Sequence, residues 1–156
     1  MKKLLILICI VCSMFPLYFM NNKMESFLSD KSGVTEIFFD YFVNSDSPDF
    51  SVVKNGEGSI VCANLSGRNE ILKNNKNCRG ETVMLDKKLC DIESIKKEIN
   101  FLKVCESEIP NGGLSYLGFC DIGNSTVSVL GKKVNVQIYE NDKFILLGFP
   151  IILGGY

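Results

Sequence analysis

The chain has 156 residues and contains no histidine. Histidine is the usual general base near neutral pH and a common zinc ligand. Its absence excludes Ser–His and Cys–His nucleophile pairs and histidine-ligated zinc. A Cys nucleophile or a carboxylate pair remain as enzymatic candidates, but no spacing among the 18 acidic residues singles out a pair. The sequence therefore predicts no catalytic residue, no cofactor and no metal site.

Closely spaced cysteines are also missing. The chain has seven cysteines but no C-x-x-C motif, which argues against zinc-ribbon and thioredoxin-like sites. Five cysteines follow residue 23, so outside a cell at least one thiol would be left over. The open alternatives are one or two disulfides, free thiols, or small buried hydrophobic side chains. The residues concerned are Cys62, Cys78, Cys90, Cys105 and Cys120.

Positive charge is scarce after residue 23. Without Lys2, Lys3 and Lys23, the chain keeps 14 basic and 18 acidic side chains, a net charge of −4. No stripe of Lys or Arg is present, and neutralisation of phosphates dominates binding to nucleic acids. We therefore expect no nucleic-acid partner and little overall attraction to anionic lipid or wall polymer.

The start of the chain predicts export. Lys2 and Lys3 precede an uncharged, mostly apolar run over residues 4–20, and polar residues follow. This order is typical of a signal peptide or a signal anchor. As a helix the run would be about 26 Å long, near the lower limit for a membrane span. Cleavage after its only loose match, Val11-Cys12-Ser13, would leave an apolar new terminus, so a retained anchor is favoured over a cleaved signal.

This start defines two segments. Residues 1–23 are the predicted signal anchor or signal peptide, and residues 24–156 are predicted to form a single α+β domain. We expect the domain to be extracytoplasmic and held at the cell membrane through residues 4–20, or secreted if the signal is cleaved.

The first half of the predicted domain contains short strand patterns. Residues 34–43 combine aromatic and β-branched residues and favour a strand, with a helix as the alternative. Residues 50–53 and 59–63 predict a hairpin, and residues 81–85 a further strand. We expect a short polar helix and linker over residues 22–33. A polar, irregular stretch is expected over residues 65–80, with one helical turn at residues 70–73.

The clearest helical pattern covers residues 91–107. Ile92, Ile95, Ile99 and Leu102 recur at helical spacing and form one apolar stripe. Asp91 is a suitable N-cap, because its carboxylate can accept hydrogen bonds from first-turn amides. Pro110 and the glycines that follow it are expected to end the element.

The remaining sequence predicts an antiparallel meander. Four strand patterns, at residues 114–120, 125–130, 134–139 and 144–148, are separated by tight turn clusters. Within the third, apolar and polar residues alternate, which indicates one buried and one wetter face. The predicted fold class is therefore α+β, an antiparallel sheet covered by one main helix.

The end of the chain carries a recognisable order of residues. Lys133-Val134-Asn135-Val136-Gln137-Ile138 is followed by a turn, by Gly148-Phe149-Pro150-Ile151, and by a final Tyr156. This resembles the C-terminus of the YwmB family of exported bacterial proteins. Members similarly pair a Lys-x-x-hydrophobic-Gln/Asn-Ile strand with a closing Gly-x-Pro-Ile segment and a Tyr at or near the end.

The resemblance implies a saddle similar to that of the TATA-box-binding protein, a curved antiparallel sheet with helices on its convex side. It implies no established biochemical activity. The family residues carried over are Gly148, Pro150, Ile151 and Tyr156, and the resemblance gives them no catalytic role. Their expected role is to close the sheet, since proline lacks a donor for the ladder and glycine permits a bend.

Three functions compete at this stage. The favoured one is a non-catalytic envelope protein of a spore-forming, low-GC Gram-positive bacterium, tethered by residues 4–20 and linked to the cell envelope or to sporulation. Its partner would be an unknown envelope protein or polymer. The second is a DNA-binding saddle, which the acidic balance opposes because such saddles need basic residues. The third is a thiol-dependent enzyme, which would need a cysteine with a strongly lowered pKa.

Overall fold

A computed structural model describes residues 23–41, 51–55, 58–74, 78–110, 112–123 and 125–153. The predicted anchor over residues 4–20, residues 42–43 of the strand predicted over residues 34–43, and Tyr156 lie outside this part of the chain. The described residues form an α+β structure with a mostly antiparallel sheet, as the sequence predicted.

Ten strands and three short helices make up the described part of the chain. Residues 23–29 are helical and are called α1; the other helices are α2 (Leu65–Asn74) and α3 (Ile92–Glu98). The strands are β1 (Val34–Tyr41), β2 (Ser51–Asn55), β3 (Gly58–Ala63), β4 (Cys78–Asp86), β5 (Leu102–Ile109), β6 (Gly113–Phe119), β7 (Val127–Val129), β8 (Lys132–Val134), β9 (Val136–Glu140) and β10 (Phe144–Phe149). Eight strands form one sheet in the order β2-β3-β1-β4-β10-β9-β6-β5, and β7 pairs with β8 separately.

Several local predictions are confirmed. The strand predicted from residue 34 is β1, the hairpin around residues 55–58 is β2–β3, and residues 81–85 lie within β4. Asp91 is the N-cap of α3, where its Oδ2 accepts a hydrogen bond of 2.8 Å from the backbone N–H of Ser94. In each case the deciding signal is local, so the sequence alone was sufficient.

The predicted helix over residues 91–107 is wrong in its second half. Helix α3 ends at Glu98, and Asn100 has a left-handed backbone with φ of 51°. The N–H of Asn100 bonds to the carbonyl of Lys97 at 3.2 Å, and that of Phe101 bonds to the carbonyl of Lys96 at 2.8 Å. These two bonds form a Schellman motif, which ends helices at a glycine or, less often, an asparagine. The rest of the predicted helix is the edge strand β5.

The irregular stretch predicted over residues 65–80 is also wrong, because it contains the ten-residue helix α2. Asn64 caps this helix: its Oδ1 accepts the N–H of Gly67 at 2.9 Å. Ile71 and Arg68 are buried on its inner side. An arginine on the apolar face of a helix hides the periodicity, which explains the error.

The predicted order of strands in the four-strand meander is wrong. Strand β6 pairs with β9, and the intervening β7 and β8 leave the sheet as their own hairpin. Asn135 marks the return to the sheet, because its N–H bonds to the carbonyl of Gly118 at 3.0 Å. The chain between two neighbouring strands therefore projects as an extra hairpin instead of adding a strand.

The main core lies on one face of the sheet. Strand residues of one parity pack there with Met24 and Leu28 of α1, Ile71 of α2, and Ile95 of α3. The segment predicted as a polar helix and linker thus contributes core residues, and three short helices replace the one main helix expected. The strand members of this cluster include Ile37, Val83, Val136, Ile138, Ile145 and Leu147.

The opposite face carries the residues of the other parity. Tyr139 and Leu146 are buried there but do not belong to the main core cluster, and Asn135 is buried as well. The prediction that one face of residues 134–139 is wetter is therefore wrong for two of its three polar positions. Residues of β9 are buried on both faces, Val136 and Ile138 on one and Tyr139 on the other, so both faces meet other parts of the protein.

Candidate functional site

The chain folds back over the opposite face directly after β10. The Phe149–Pro150 peptide bond is cis, and residues 150–153, here called the strap, pass over Gly148. A Cβ at Gly148 would lie 2.2 Å from both the carbonyl carbon of Ile151 and the nitrogen of Ile152. Glycine is therefore required for the strap to approach the strand this closely.

Two side chains of the sheet hold the strap by its backbone. The N–H of Ile152 donates to Gln137 Oε1 at 3.1 Å, and the N–H of Leu153 donates to Thr82 Oγ1 at 2.9 Å. Gln137 and Thr82 lie opposite Gly148 on its two neighbouring strands. The strap therefore crosses from β9 over β10 to β4, and this face of the sheet accepts polypeptide backbone.

A groove of about 620 Å³ opens further along the same face. Met84 and Phe144 contribute apolar lining, and Asp86, Lys88, Asp142 and Lys143 contribute charged groups. On β4 and β10, Thr82 pairs with Gly148 under the strap. The next pair on this face is Met84 with Leu146, and the pair after that is Asp86 with Phe144. Each step of two residues is about 6.6 Å, so the groove begins close to the strap.

Local hydrogen bonds shape the groove. Thr35 Oγ1 donates to the carbonyl of Met84 at 3.2 Å, and Asp86 Oδ1 accepts the N–H of Lys88 at 2.9 Å. One carboxylate of the groove is thus engaged in its own turn. A lining that is apolar with charges of both signs suits a peptide or polymer segment that presents apolar and charged groups together.

A polar cluster on the core face includes Lys96 of α3. The hydroxyl of Tyr116 donates to Glu140 Oε1 at 3.1 Å, Lys87 donates to Glu140 Oε2 at 3.0 Å, and the Lys96 ammonium is 3.7 Å from the centre of the Tyr116 ring. Burial, together with the bond to Glu140, raises the pKa of Tyr116 to about 12. A phenol that keeps its proton in this way is a structural donor.

The five cysteines are dispersed over the described part of the chain. Cys62 and Cys78 lie on β3 and β4, on opposite sides of β1, so about 10 Å of sheet separates them. Cys105 lies opposite Leu117, three residues before Cys120, which places this pair about 10 Å apart as well. Both separations exceed the roughly 7 Å that a disulfide tolerates between Cα atoms.

Two thiols lie in environments that oppose ionisation. Cys120 is buried, and this burial raises the pKa of its thiol. Burial likewise raises the pKa of the Cys90 thiol. An activated nucleophile needs the reverse, a lowered pKa that populates the thiolate. These two positions therefore resemble small hydrophobic residues in their chemistry.

The remaining expectations concern ions, membranes and relatives. Within the described ranges, no three or more Cys, Asp and Glu side chains are placed to share a metal ion. None of the helices in these ranges is both long enough and apolar enough to span a bilayer.

Comparisons with protein-family models, with curated proteins and with solved structures give no significant match for this chain.

Gly148, Pro150 and Ile151, on which the resemblance to the YwmB family rests, lie at the strap, while Tyr156 lies outside the described residues. The sequence does not reveal Thr82 and Gln137, which accept the backbone N–H groups of Leu153 and Ile152 in the strap. Thr82 is 71 positions away from the amide that it accepts, so no local pattern could reveal the contact. The groove was missed for the same reason, since three strands supply its lining.

Proposed function

We propose that this chain is an exported, membrane-tethered, non-catalytic envelope protein that binds another envelope component through the opposite face of its sheet. One observation carries the proposal: this face already holds a chain segment by its backbone amides, through Gln137 and Thr82, and an open groove continues beside it. A surface that holds backbone amides in this way is suited to a second segment.

We further propose that the chain is a YwmB-type protein and that its sheet is a saddle similar to that of the TATA-box-binding protein. Support comes from the helices, which pack on one face of an antiparallel sheet, and from the placement of Gly148, Pro150 and Ile151 at a structural closure. In this interpretation the opposite face is the concave side of the saddle.

The assignment of a binding role rests on how the described polar groups are used. The buried pair of Arg68 and Glu81 and the cluster of Glu140 with Tyr116 and Lys87 are engaged in hydrogen bonds between elements. The raised pKa values of the Cys90 and Cys120 thiols favour their protonated forms. These groups stabilise the fold, and the groove offers contact surface.

The proposed tether has a consequence for geometry. Met24 is already buried in the main core, so three residues separate it from the end of the predicted anchor at residue 20. Three residues span at most about 10 Å. A retained anchor would therefore hold the domain directly against the membrane surface.

Export is tested by labelling intact cells that express the full chain with a membrane-impermeant thiol reagent. Cys105 lies on the edge strand β5 and is partly exposed, so it should react before lysis. Labelling that appears only after lysis would contradict export. Separation of membranes from medium then distinguishes the retained anchor from the cleaved signal.

Partner binding is tested by photo-crosslinking in the same cells. A photoreactive phenylalanine at position 144 in the groove should give one defined adduct, which the Met84→Glu variant should lose. The matched control carries the same group at the exposed position 97 on α3. Equal adducts at both positions, or salt-sensitive binding of duplex DNA by the full chain, would speak against the proposal.

A further inference from the structure

The hairpin β7–β8 ends in an unusual turn. Val129 and Lys132 are paired and flank a two-residue turn, Leu130–Gly131, with φ of 51° and 75°. Positive φ at both positions defines a type I′ turn, which favours Asn-Gly, Asp-Gly or Gly-Gly. Leucine therefore occupies a position at which its own backbone is strained.

Packing of the Leu130 side chain does not explain its strained backbone. Its side chain is 88% exposed, more than any other large hydrophobic residue described. A left-handed backbone is unfavourable for a residue other than glycine, because its Cβ comes too close to the following carbonyl oxygen. An exposed leucine on a strained backbone indicates a role outside the fold.

Positive charge lies next to this leucine. Lys132 and Lys133 are both exposed, and within the described ranges neither ammonium has a carboxylate within 4.0 Å. This pair is a local exception in a domain whose net charge is negative. An apolar tip with adjacent cations suits a bilayer interface, where the leucine enters the acyl boundary and the ammonium groups meet anionic headgroups.

The base of the hairpin is firmly held. Val134 is buried, and the Asn135 amide bonds to the N–H of Cys120 at 2.8 Å and to its carbonyl at 2.9 Å. A further bond of 3.3 Å joins the Asn135 amide to the carbonyl of Gly123. The tip is therefore presented at a defined place on the domain.

The base of the hairpin is close to the proposed tether. The Nζ atom of Lys23, the first residue of α1, lies 4.0 Å from Oδ2 of Asp121. Asp121 directly follows Cys120, whose backbone N–H donates to the Asn135 side chain. The hairpin base and the point at which residues 1–22 join the domain are therefore neighbours. A strand of three residues extends about 10 Å, comparable with the reach of the three-residue link to the predicted anchor.

We infer that the β7–β8 hairpin is a membrane-contacting finger, in which Leu130 inserts into the interface and Lys132 and Lys133 bind anionic phospholipid headgroups. The inference relies on the proposed tether only to bring the bilayer close. Its effect is to fix the orientation of the domain on the membrane through a second contact, so that the opposite face has a constant direction.

The chain contains no tryptophan, which gives a specific test. The Leu130→Trp variant of the full chain is added to vesicles of phosphatidylcholine alone or of phosphatidylcholine with phosphatidylglycerol. Its fluorescence should shift to shorter wavelength, and should be quenched by lipids brominated on the acyl chains, only with the anionic vesicles. The matched control is Leu89→Trp, another exposed leucine, which should give neither change.

The lysines are tested in the Leu130→Trp background. Lys132→Glu with Lys133→Glu should abolish the shift, whereas Lys97→Glu with Lys103→Glu, an equal change in charge at exposed lysines away from the groove, should leave it intact. Fluorescence that is equal in both vesicle types, or equal to that of Leu89→Trp, would overturn the finger. A shift caused by wall polymer or protein without vesicles would overturn it in favour of another partner.

Flotation of the same samples separates this inference from the tether. In one outcome, the chain floats with the vesicles while the fluorescence of Leu130→Trp stays at the wavelength of a tryptophan in water. The finger is then overturned and the tether stands. If flotation requires Lys132 and Lys133, the finger stands and residues 4–20 are not a sufficient anchor.

Discussion

The guanidinium of Arg68 and the carboxylate of Glu81 form a buried, two-pronged ion pair that joins α2 to β4. Arg68 Nε donates to Glu81 Oε1 at 2.6 Å, and Nη2 donates to Oε2 at 3.0 Å. Arg68 is only 3% exposed, and the pair lies on the core face of the sheet. Removal of either partner leaves the other charge buried without compensation.

We therefore expect Arg68→Met to lower the free energy of unfolding by about 3–5 kcal/mol, the range for a broken buried ion pair. The double variant Arg68→Met with Glu81→Leu should be markedly more stable than the single variant, because no lone charge is buried. Urea unfolding of the full chain in detergent micelles measures both. Lys103→Met, which breaks the exposed pair with Glu106, is the control and should change little. A double variant no more stable than the single one would refute this account.

Asn100 allows a clean test of the helix end. Its backbone is left-handed, and its side chain bonds to Asp121 at 2.7 Å. Both Asn100→Ala and Asn100→Gly lose that bond, but only alanine keeps the cost of positive φ. The alanine variant should therefore be less stable than the glycine variant by about 1 kcal/mol. Equal unfolding midpoints would show that Asn100 does not terminate α3 through its backbone.

Tyr116 predicts a loss of stability at alkaline pH. Its pKa is about 12 in the folded protein, against an ordinary value of 10.0, because of burial and the bond to Glu140. Above pH 10 the unfolded chain releases this proton while the folded protein retains it, so the free energy of unfolding falls as pH rises from about 10 to about 12. Below pH 10 the contribution is constant.

The control for this pH dependence is Tyr116→Phe, which removes the ionisable group but keeps the ring. The difference in unfolding free energy between wild type and variant should be flat below pH 10 and should change between pH 10 and 12. The difference in tyrosinate absorbance should give a midpoint near 12. A midpoint near the ordinary value would contradict the buried donor.

Gly148→Ala should displace the strap. The new methyl group would lie 2.2 Å from both the Ile151 carbonyl carbon and the Ile152 nitrogen, which are backbone atoms and can move only with the strap. Hydrogen exchange of the Ile152 and Leu153 amides should become much faster, while that of the core strands changes less. A milder variant, Thr82→Val, should speed exchange at the Leu153 amide alone. Valine has nearly the shape of threonine but lacks the hydroxyl oxygen that accepts the Leu153 N–H. Unchanged exchange at both amides in Gly148→Ala would disprove the role of the glycine.

Local signals in the sequence were reliable where a single residue decided the conformation. Asp91 is predicted as a cap and is one, and the predicted strands over residues 34–43 and 59–63 correspond to β1 and β3. The same logic failed where two readings compete locally. Leu102 continues the spacing of Ile95 and Ile99, and only the left-handed backbone at Asn100 ends the helix before it.

Long-range pairing accounts for the other errors. Arg68 looks like a surface residue until Glu81, 13 positions later, neutralises it inside the core. The strand register of β6 depends on β9, which lies beyond an intervening hairpin. Neither relationship leaves a periodic trace in the sequence, because each joins elements that no short window contains.

The sequence by itself determined the α+β class and the antiparallel strands, since composition, periodicity and turn residues act over a few positions. The export segment remains a prediction of the sequence. Only the tertiary structure decided which strands are neighbours, how the strap crosses Gly148 and where the groove opens. It also placed the base of the hairpin that carries Leu130 near Lys23. Those features depend on contacts between distant residues, whose free energy is gained only when the whole sheet is assembled.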